Sequence, residues 1–250
     1  MDTPALSVRG LTMAYDGRVI QQDLDFDIPR GQIFVIMGGS GCGKSTLLRH
    51  LIGLQQPAAG RILYGGDEDY WAADETRQDA LKRGSGVLFQ GGALWSSLTL
   101  AENIALPLEE FTDLPAAAIR EIVAVKLALV GLSGFENHYP AEISGGMKKR
   151  AGLARAMALN PDILFCDEPS AGLDPLSARR LDELLLELRA SLGSTIVLVT
   201  HELASIFAVA DQAIFLDAES RTMTASGNPH HLAQHGSALV RHFLARGEDA

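Results

Sequence analysis

The stretch IFVIMGGSGCGKSTLL, residues 33 to 48, narrows the possible folds more than any other part of the chain. Its opening apolar run, IFVIM, is too short for a buried helix and suits a strand covered on both faces, as in a parallel sheet. Glycine-rich sequence follows at once in the register G-x-x-x-x-G-K-[ST], with Gly38, Gly43, Lys44 and Ser45 at the defining positions. A helical pattern with Leu47, Leu48, Leu51 and Leu54 comes next. Strand, glycine loop and helix in that order form a cradle for phosphate. The backbone from Gly38 through Gly39, Ser40, Gly41, Cys42 and Gly43 to Thr46 can wrap the anion, Lys44 can neutralise its β and γ oxygens, and the Ser45 hydroxyl suits Mg²⁺. A glycine turn beside a surface lysine is the bland alternative, and the flanking strand and helix leave it little room.

Three further apolar runs, VLFQ (87 to 90), ILFCD (163 to 167) and TIVLVTH (195 to 201), read as companion strands. The periodic Leu181, Leu184, Leu185, Leu188 and Leu192 supply a helix between the last two, so the pattern is βαβ alternation. Near the N-terminus Leu24, Phe26 and Ile28 alternate with Asp23, Asp25 and Asp27, the period of an antiparallel strand with one wet face. Residues 91 to 158 lack any comparable strand but hold a helix with Ile119, Ile122, Val123, Leu127 and Val130 and another after Ser144. AIFLDAESRTMTASG reads as a hairpin, and one helix is expected from Pro229 to Ala245. The expected fold is therefore α/β: a RecA-like phosphate-loop core with a mostly parallel sheet, an N-terminal antiparallel β layer and a helical insertion. It forms a single domain over residues 1–250, with the core at about 1–90 and 159–250 and the helical part at about 91–158.

A formal charge of −10 disfavours a body that coats nucleic acid. No apolar run reaches the roughly eighteen residues of a membrane span, and MDTPALSVRG has no apolar leader core, so a cytoplasmic chain is expected. Cys42 and Cys166 lack metal-ligand spacing and read as buried fillers, with an oxidisable thiol at Cys42 as the alternative. His230, His231, His235 and His242 suit a solvated helix face better than a metal site.

Asp167 and Glu168 close a buried strand, where open α/β sheets gather ligand contacts. Asp167 can hold Mg²⁺ and Glu168 can deprotonate the water that attacks a γ-phosphate. At the end of the next strand His201 can sense that phosphate or hold the water, and Gln90 offers an uncharged oxygen to Mg²⁺ or water. Tyr15 can stack on a purine, although an aromatic in a small sheet is more often core. A second anion cradle stands in ISGGMKKRAGLARA, with Ser144 placed to cap a helix whose first residues, Gly145 and Gly146, expose N–H groups. It can serve a second copy of the chain docked head-to-tail, or fold back onto its own site.

Taken in order, Tyr15, GGSGCGKST, Gln90, ISGGM, ILFCDEP, AGLD (171 to 174) and His201 resemble the nucleotide-binding subunit of an ABC transporter over nearly the whole chain. The resemblance implies ATP and Mg²⁺ as cofactors, a two-ATP sandwich homodimer, catalysis of ATP hydrolysis and separate transmembrane permease subunits. The chain departs from the common pattern at Met147, at Ala171 and Gly172, and in the basic run Lys148, Lys149 and Arg150. More locally, FQGGALWSSLTLAENIALPLEEFTDLP (89 to 115), SGGMKKRAGLARA and EPSAGLDP resemble the ATPases of MCE-associated (Mla-type) phospholipid transporters of diderm bacteria. That likeness implies an MCE-domain periplasmic partner, a small cytoplasmic regulator and a place on the inner face of the inner membrane. Trp95 is then expected on a surface loop that receives a permease helix. The competing readings are an importer ATPase for a small solute and a non-transport ATP clamp. The clamp would need a long coiled coil or two ATPase domains, and neither is visible.

Overall fold

The computed structural model describes residues 3–245; Met1 and Asp2, at the head of the stretch read for a leader, and residues 246–250 lie outside it. Strands β1 (Leu6–Tyr15) and β2 (Arg18–Ile28) pair antiparallel, and the Asp/apolar alternation holds, since Leu24, Phe26 and Ile28 are buried and the three aspartates exposed. β3 (Ile33–Gly38) runs into the glycine loop and α1 (Lys44–Leu51). Leu54 falls beyond the end of α1 and is exposed, against the helical reading, because Gly53 turns left-handed (φ 71°) and ends the helix. Then follow β4 (Ala59–Tyr64), β5 (Glu68–Asp69), α2 (Glu75–Arg83) and β6 (Ser85–Leu88). From there to residue 162 the described elements are α3 (Leu100–Phe111), α4 (Ala116–Leu129), one 3₁₀ turn and α5 (Gly145–Ala156). The chain returns with β7 (Ile163–Asp167), α6 (Pro175–Leu192), β8 (Thr195–Val199), α7 (Leu203–Val209) and the hairpin β9 (Gln212–Asp217) and β10 (Thr222–Gly227). The single terminal helix expected from Pro229 is two, α8 (Pro229–His235) and α9 (Ala238–Ala245), broken at Gly236. A Cβ there would lie 2.5 Å from the Leu232 carbonyl.

Two sheets result. The antiparallel one has order β2-β1-β4-β5; the larger has order β10-β9-β3-β8-β7-β6, parallel except for β10. The apolar runs are continuous because the large sheet is covered twice. Ile33, Val35 and Met37 of β3 face the core shared with α3 to α6, whereas Phe34 and Ile36 face the core shared with α1 and the antiparallel sheet. β7 and β8 divide in the same way: Leu164, Cys166, Ile196 and Leu198 lie on one side, and Ile163, Phe165, Val197 and Val199 on the other. Side chains of alternate residues point to opposite faces of a strand, so each strand must be apolar throughout.

Several ionisable groups are buried in this packing, Asp182 among them. Asp182 of α6 is buried and accepts a 2.8 Å hydrogen bond from Ser205 Oγ of α7. Burial pushes its carboxyl up to about 6, the Ser205 bond opposing and the charges of Glu202 and Glu183 adding to the rise. With a folded pKa above the unfolded one, the folded state favours the proton, so this stability is present at low pH and lost as pH rises through about 6. Asp182→Asn keeps an acceptor for Ser205 without the charge. We predict that it stabilises the chain by about 1–3 kcal/mol at pH 8 and progressively less toward pH 5. Thermal unfolding at both pH values checks this, and an equal gap at both contradicts it.

Candidate active site

Parallel pairing brings strand ends from distant sequence to one edge. Ile36 of β3 lies beside Val199 of β8, and Val199 beside Asp167 of β7, so the residues that follow each of them emerge together. They border a cavity of about 1080 Å³ lined by Tyr15, the whole stretch Gly38 to Thr46, Gln90, Glu168 and His201. Asp167 joins the cluster through Ser45, whose Oγ donates to Asp167 Oδ1 at 2.9 Å.

Backbone geometry explains the glycines. Gly43 caps α1 at φ 98°, and a Cβ there would meet the Ile20 methyl at 2.7 Å. At Gly38 the obstacle is harder, because a Cβ would lie 2.4 Å from the Leu216 carbonyl oxygen of the neighbouring strand. Gln21 pins the loop from below: its Nε2 donates to the carbonyls of Cys42 at 2.8 Å and Asp217 at 2.9 Å. Lys44 Nζ donates to the Gly38 carbonyl at 2.9 Å and the Gly39 carbonyl at 3.0 Å, so the ammonium sits at the mouth of the loop. No acidic residue occupies the first turn of α1, whose leading N–H groups have no partner within the helix and suit an anion. Cys42 is a free, buried thiol, as is Cys166; burial pushes Cys42 above the usual thiol range, and Cys166 to about 12.

Glu168 directly follows β7 at φ 45°, a left-handed conformation uncommon for a non-glycine residue and a marker of functional strain. Its Oε1 lies 2.8 Å from His201 Nδ1, while Oε2 is buried and makes no hydrogen bond. Such an oxygen can accept a proton from water. Burial, the largest influence, raises the Asp167 carboxyl and the neighbouring Glu168 charge adds to it; the Ser45 hydrogen bond opposes. Among the described residues no group of three or more His, Cys, Asp or Glu side chains is placed to hold a metal. The Ser45 hydroxyl, in contact with the Asp167 carboxylate, and the Gln90 amide on the same cavity are hard-oxygen groups of the type that fits Mg²⁺.

Two expected positions shift. β6 stops at Leu88, because Gly92 N–H turns back to the Phe89 carbonyl at 2.7 Å; Gln90 therefore rides on an exposed turn rather than on the strand. β8 likewise ends at Val199, two residues before His201. Ser144 is the cap of α5, its Oγ accepting from Met147 N–H at 3.3 Å, but Ser144, Gly145 and Gly146 do not line the phosphate cavity of their own chain. Tyr15 is 67% exposed at the rim, which removes the core reading.

A second groove of about 750 Å³ lies beside the Gln90 turn, with Trp95, Leu106, Phe111 and Arg155 among its lining. Trp95 is 61% exposed, and buried Asn103 holds its loop. Asn103 Oδ1 accepts Trp95 N–H at 2.8 Å, and Nδ2 donates to the carbonyls of Trp95, Leu98 and Thr99. Nothing in the residue type of Asn103 announced that role. Its only sequence signal is a polar residue on the apolar face of α3.

Such a cradle at the edge of a parallel sheet, with an acidic pair at the end of the next strand but one, defines a phosphate-loop nucleotide hydrolase. The ABC transporter family profile matches residues 21–171. Along 240 residues the chain is 42% identical to the probable ribonucleotide transport ATP-binding protein mkl of Mycobacterium leprae, covering 96% of this chain and 68% of that protein. It is 38% identical over 239 residues to the intermembrane phospholipid transport system ATP-binding protein MlaF of Escherichia coli K12, covering 96% and 88% respectively. Among solved structures, cbiO1 from Clostridium perfringens, part of the ABC transporter complex cbiONQ, superposes with TM-score 0.84 at 28% identity, covering 98% of this chain and 100% of that one. The dimeric ABC cassette MJ0796 does so with TM-score 0.80 at 27% identity over 89% and 98%. The chain belongs to the ABC transporter ATP-binding family. It is an ATP-binding, ATP-hydrolysing subunit.

Because the carbonyl that blocks a Cβ at Gly38 is sheet backbone, Gly38→Ala should cost about 2 kcal/mol or more of stability and displace the loop. Urea unfolding together with nucleotide titration checks this; unchanged stability and binding contradict it.

Proposed function

We propose that this chain powers a transporter of phospholipids between the two membranes of a diderm bacterium, working on the inner face of the inner membrane. The observation that carries the cargo is the likeness to MlaF along most of both chains. The mkl relatives, named for ribonucleotide transport, favour a second reading with a different cargo. The acidity of the chain argues against a nucleic-acid partner.

In this reading Tyr15 stacks on adenine, the loop from Gly38 to Thr46 wraps the phosphates, and Lys44 neutralises their charge. Asp167, Ser45 and Gln90 would hold Mg²⁺, which would supply Lewis-acid withdrawal of charge from the phosphates. Glu168 takes the proton of the attacking water through its unpartnered Oε2, with Oε1 oriented by His201. The chain works as a head-to-tail homodimer in which each Ser144-Gly145-Gly146 cradles the γ-phosphate held by the other copy. Support comes from the position of that segment outside its own phosphate cavity and from the dimeric form of MJ0796. Separate membrane subunits dock in the Trp95 groove, an MCE-domain protein lies beyond them, and a small regulator binds the cytoplasmic face. No described helix is long and apolar enough to cross a membrane, so permeation is assigned to those other chains.

Complementation tests the composite site. Ser144→Arg and Lys44→Ala should each be inactive alone, yet their heterodimer should regain ATPase activity, because both defects then fall in the same site and the other is whole. A confirmed heterodimer without activity instead indicates a self-contained site.

Trp95→Ala should reduce co-purification of the membrane subunits by a hot-spot amount, about 2 kcal/mol or more, while leaving the melting temperature of the lone chain nearly unchanged. Lipid analysis of the wild-type assembly tests the cargo. Phospholipid in the complex supports the reading, and a bound ribonucleotide or other solute in its place overturns it.

A further inference from the structure

The loop after β6 and the helix α5 are fastened along one line. Lys149 Nζ donates to the Gln90 carbonyl. One turn on, Gly152 lets the loop close in, since a Cβ there would lie 2.8 Å from the Gly92 carbonyl oxygen. Another turn on, Arg155 donates to the Ala93 carbonyl at 2.6 Å and the Gly92 carbonyl at 3.4 Å. Spacings of three residues put these side chains on one helical face. Of these three contacts, that of Lys149 also reaches out of this pair of elements, because its Nζ donates to the Glu168 carbonyl at 3.3 Å as well.

Lys149 is 7% exposed, and burying an ammonium is costly unless it is hydrogen-bonded. Here the compensation comes from two main-chain carbonyls, those of Gln90, proposed to hold Mg²⁺, and of Glu168, proposed to act on water. Through its Nζ alone, Lys149 thus joins α5 to the Gln90 turn and to Glu168. Glu168 also occupies a strained left-handed φ of 45°, so its carboxylate direction depends on what restrains its main chain. Glu168 N–H is held by the Val199 carbonyl at 2.8 Å, and the carbonyl side by Lys149 and by Ala171 N–H at 3.2 Å.

We infer that Lys149 is a positioning residue for hydrolysis: bridging the carbonyls of Gln90 and Glu168, its ammonium fixes where the Gln90 amide and the Glu168 carboxylate point and ties both to the helix opened by Ser144-Gly145-Gly146. This rests on the site reading given above. It adds that the phosphate-facing helix start, the turn beside the membrane-subunit groove and the base move as one body pinned at a single side chain. A misplacement of about 1 Å at a reacting group costs about a hundredfold in rate, so a loosened bridge acts on turnover rather than on ATP binding.

The test is steady-state ATPase kinetics of the full chain carrying Lys149→Met, which keeps the apolar stem and removes the donors. We expect kcat to fall about ten- to a hundredfold with KM for ATP within about twofold of wild type. Lys149→Arg, which restores donors and charge, should recover a third or more of wild-type kcat. In a Gln90→Ala background the same Lys149→Met change should cost clearly less than in wild type, because part of what it positions is already gone. Unchanged kcat in Lys149→Met overturns the inference. So does a parallel loss of kcat, ATP binding and melting temperature that Arg does not relieve, which would make Lys149 merely structural. If Lys149→Met does not fold, Lys149→Arg decides alone, and a loss of kcat beyond about tenfold in folded protein counts against a donor role. Glu168→Gln, run alongside, separates the two levels. If it is inactive while Lys149→Met is active, only this inference fails; if it is active, the assignment of the base itself fails.

Discussion

Parallel register across β3, β8 and β7 is the constraint on which everything else depends. Because Ile36, Val199 and Asp167 lie side by side, the glycine loop, the acidic pair and the histidine leave the sheet at one edge, whatever their separation along the chain. That register is stabilised by burial on both faces, since a slip of one residue would exchange the side chains that meet α3 to α6 for those that meet α1 and the antiparallel sheet. Packing and chemistry are thus one requirement here: the apolar core that aligns the strands also aims the polar residues at their ends.

The polar groups are held in turn by main-chain contacts. Gln21 anchors the Cys42 carbonyl to the Asp217 carbonyl, so the loop is fixed to the edge of the sheet before any phosphate arrives. Asn103 does the same for the Trp95 turn, spending one side chain on four backbone groups. In both places a buried amide replaces the regular hydrogen bonding that an irregular loop cannot supply for itself.

What could be read from the residues alone follows from range. The phosphate loop, the runs that became β3, β7 and β8, and the Ser144 cap are local patterns, and each lies where its pattern put it. Strand ends were less legible: Gln90 and His201 stand two residues past β6 and β8, because the turn that stops β6 rests on a Gly92 contact rather than on any residue type. Leu54 kept the helical period after Gly53 had ended the helix, and the break at Gly236 depends on crowding by the Leu232 carbonyl. α2 and the short β5 escaped notice because α2 buries no residue and β5 has only two residues, so neither carries an apolar period. Lys149 read as one member of a basic run, and its partners lie far away in sequence.

Cys42 and Cys166 have a practical consequence. Each thiol is buried, at 1% and 0% exposure, and burial raises both above the usual thiol range, so little thiolate is present near neutral pH to react. The nucleotide loop therefore carries a sulfur yet is shielded from alkylation and peroxide. A cysteine introduced on any exposed face will be the one that reacts, which makes the unaltered chain a ready background for site-directed cross-linking and spin labelling.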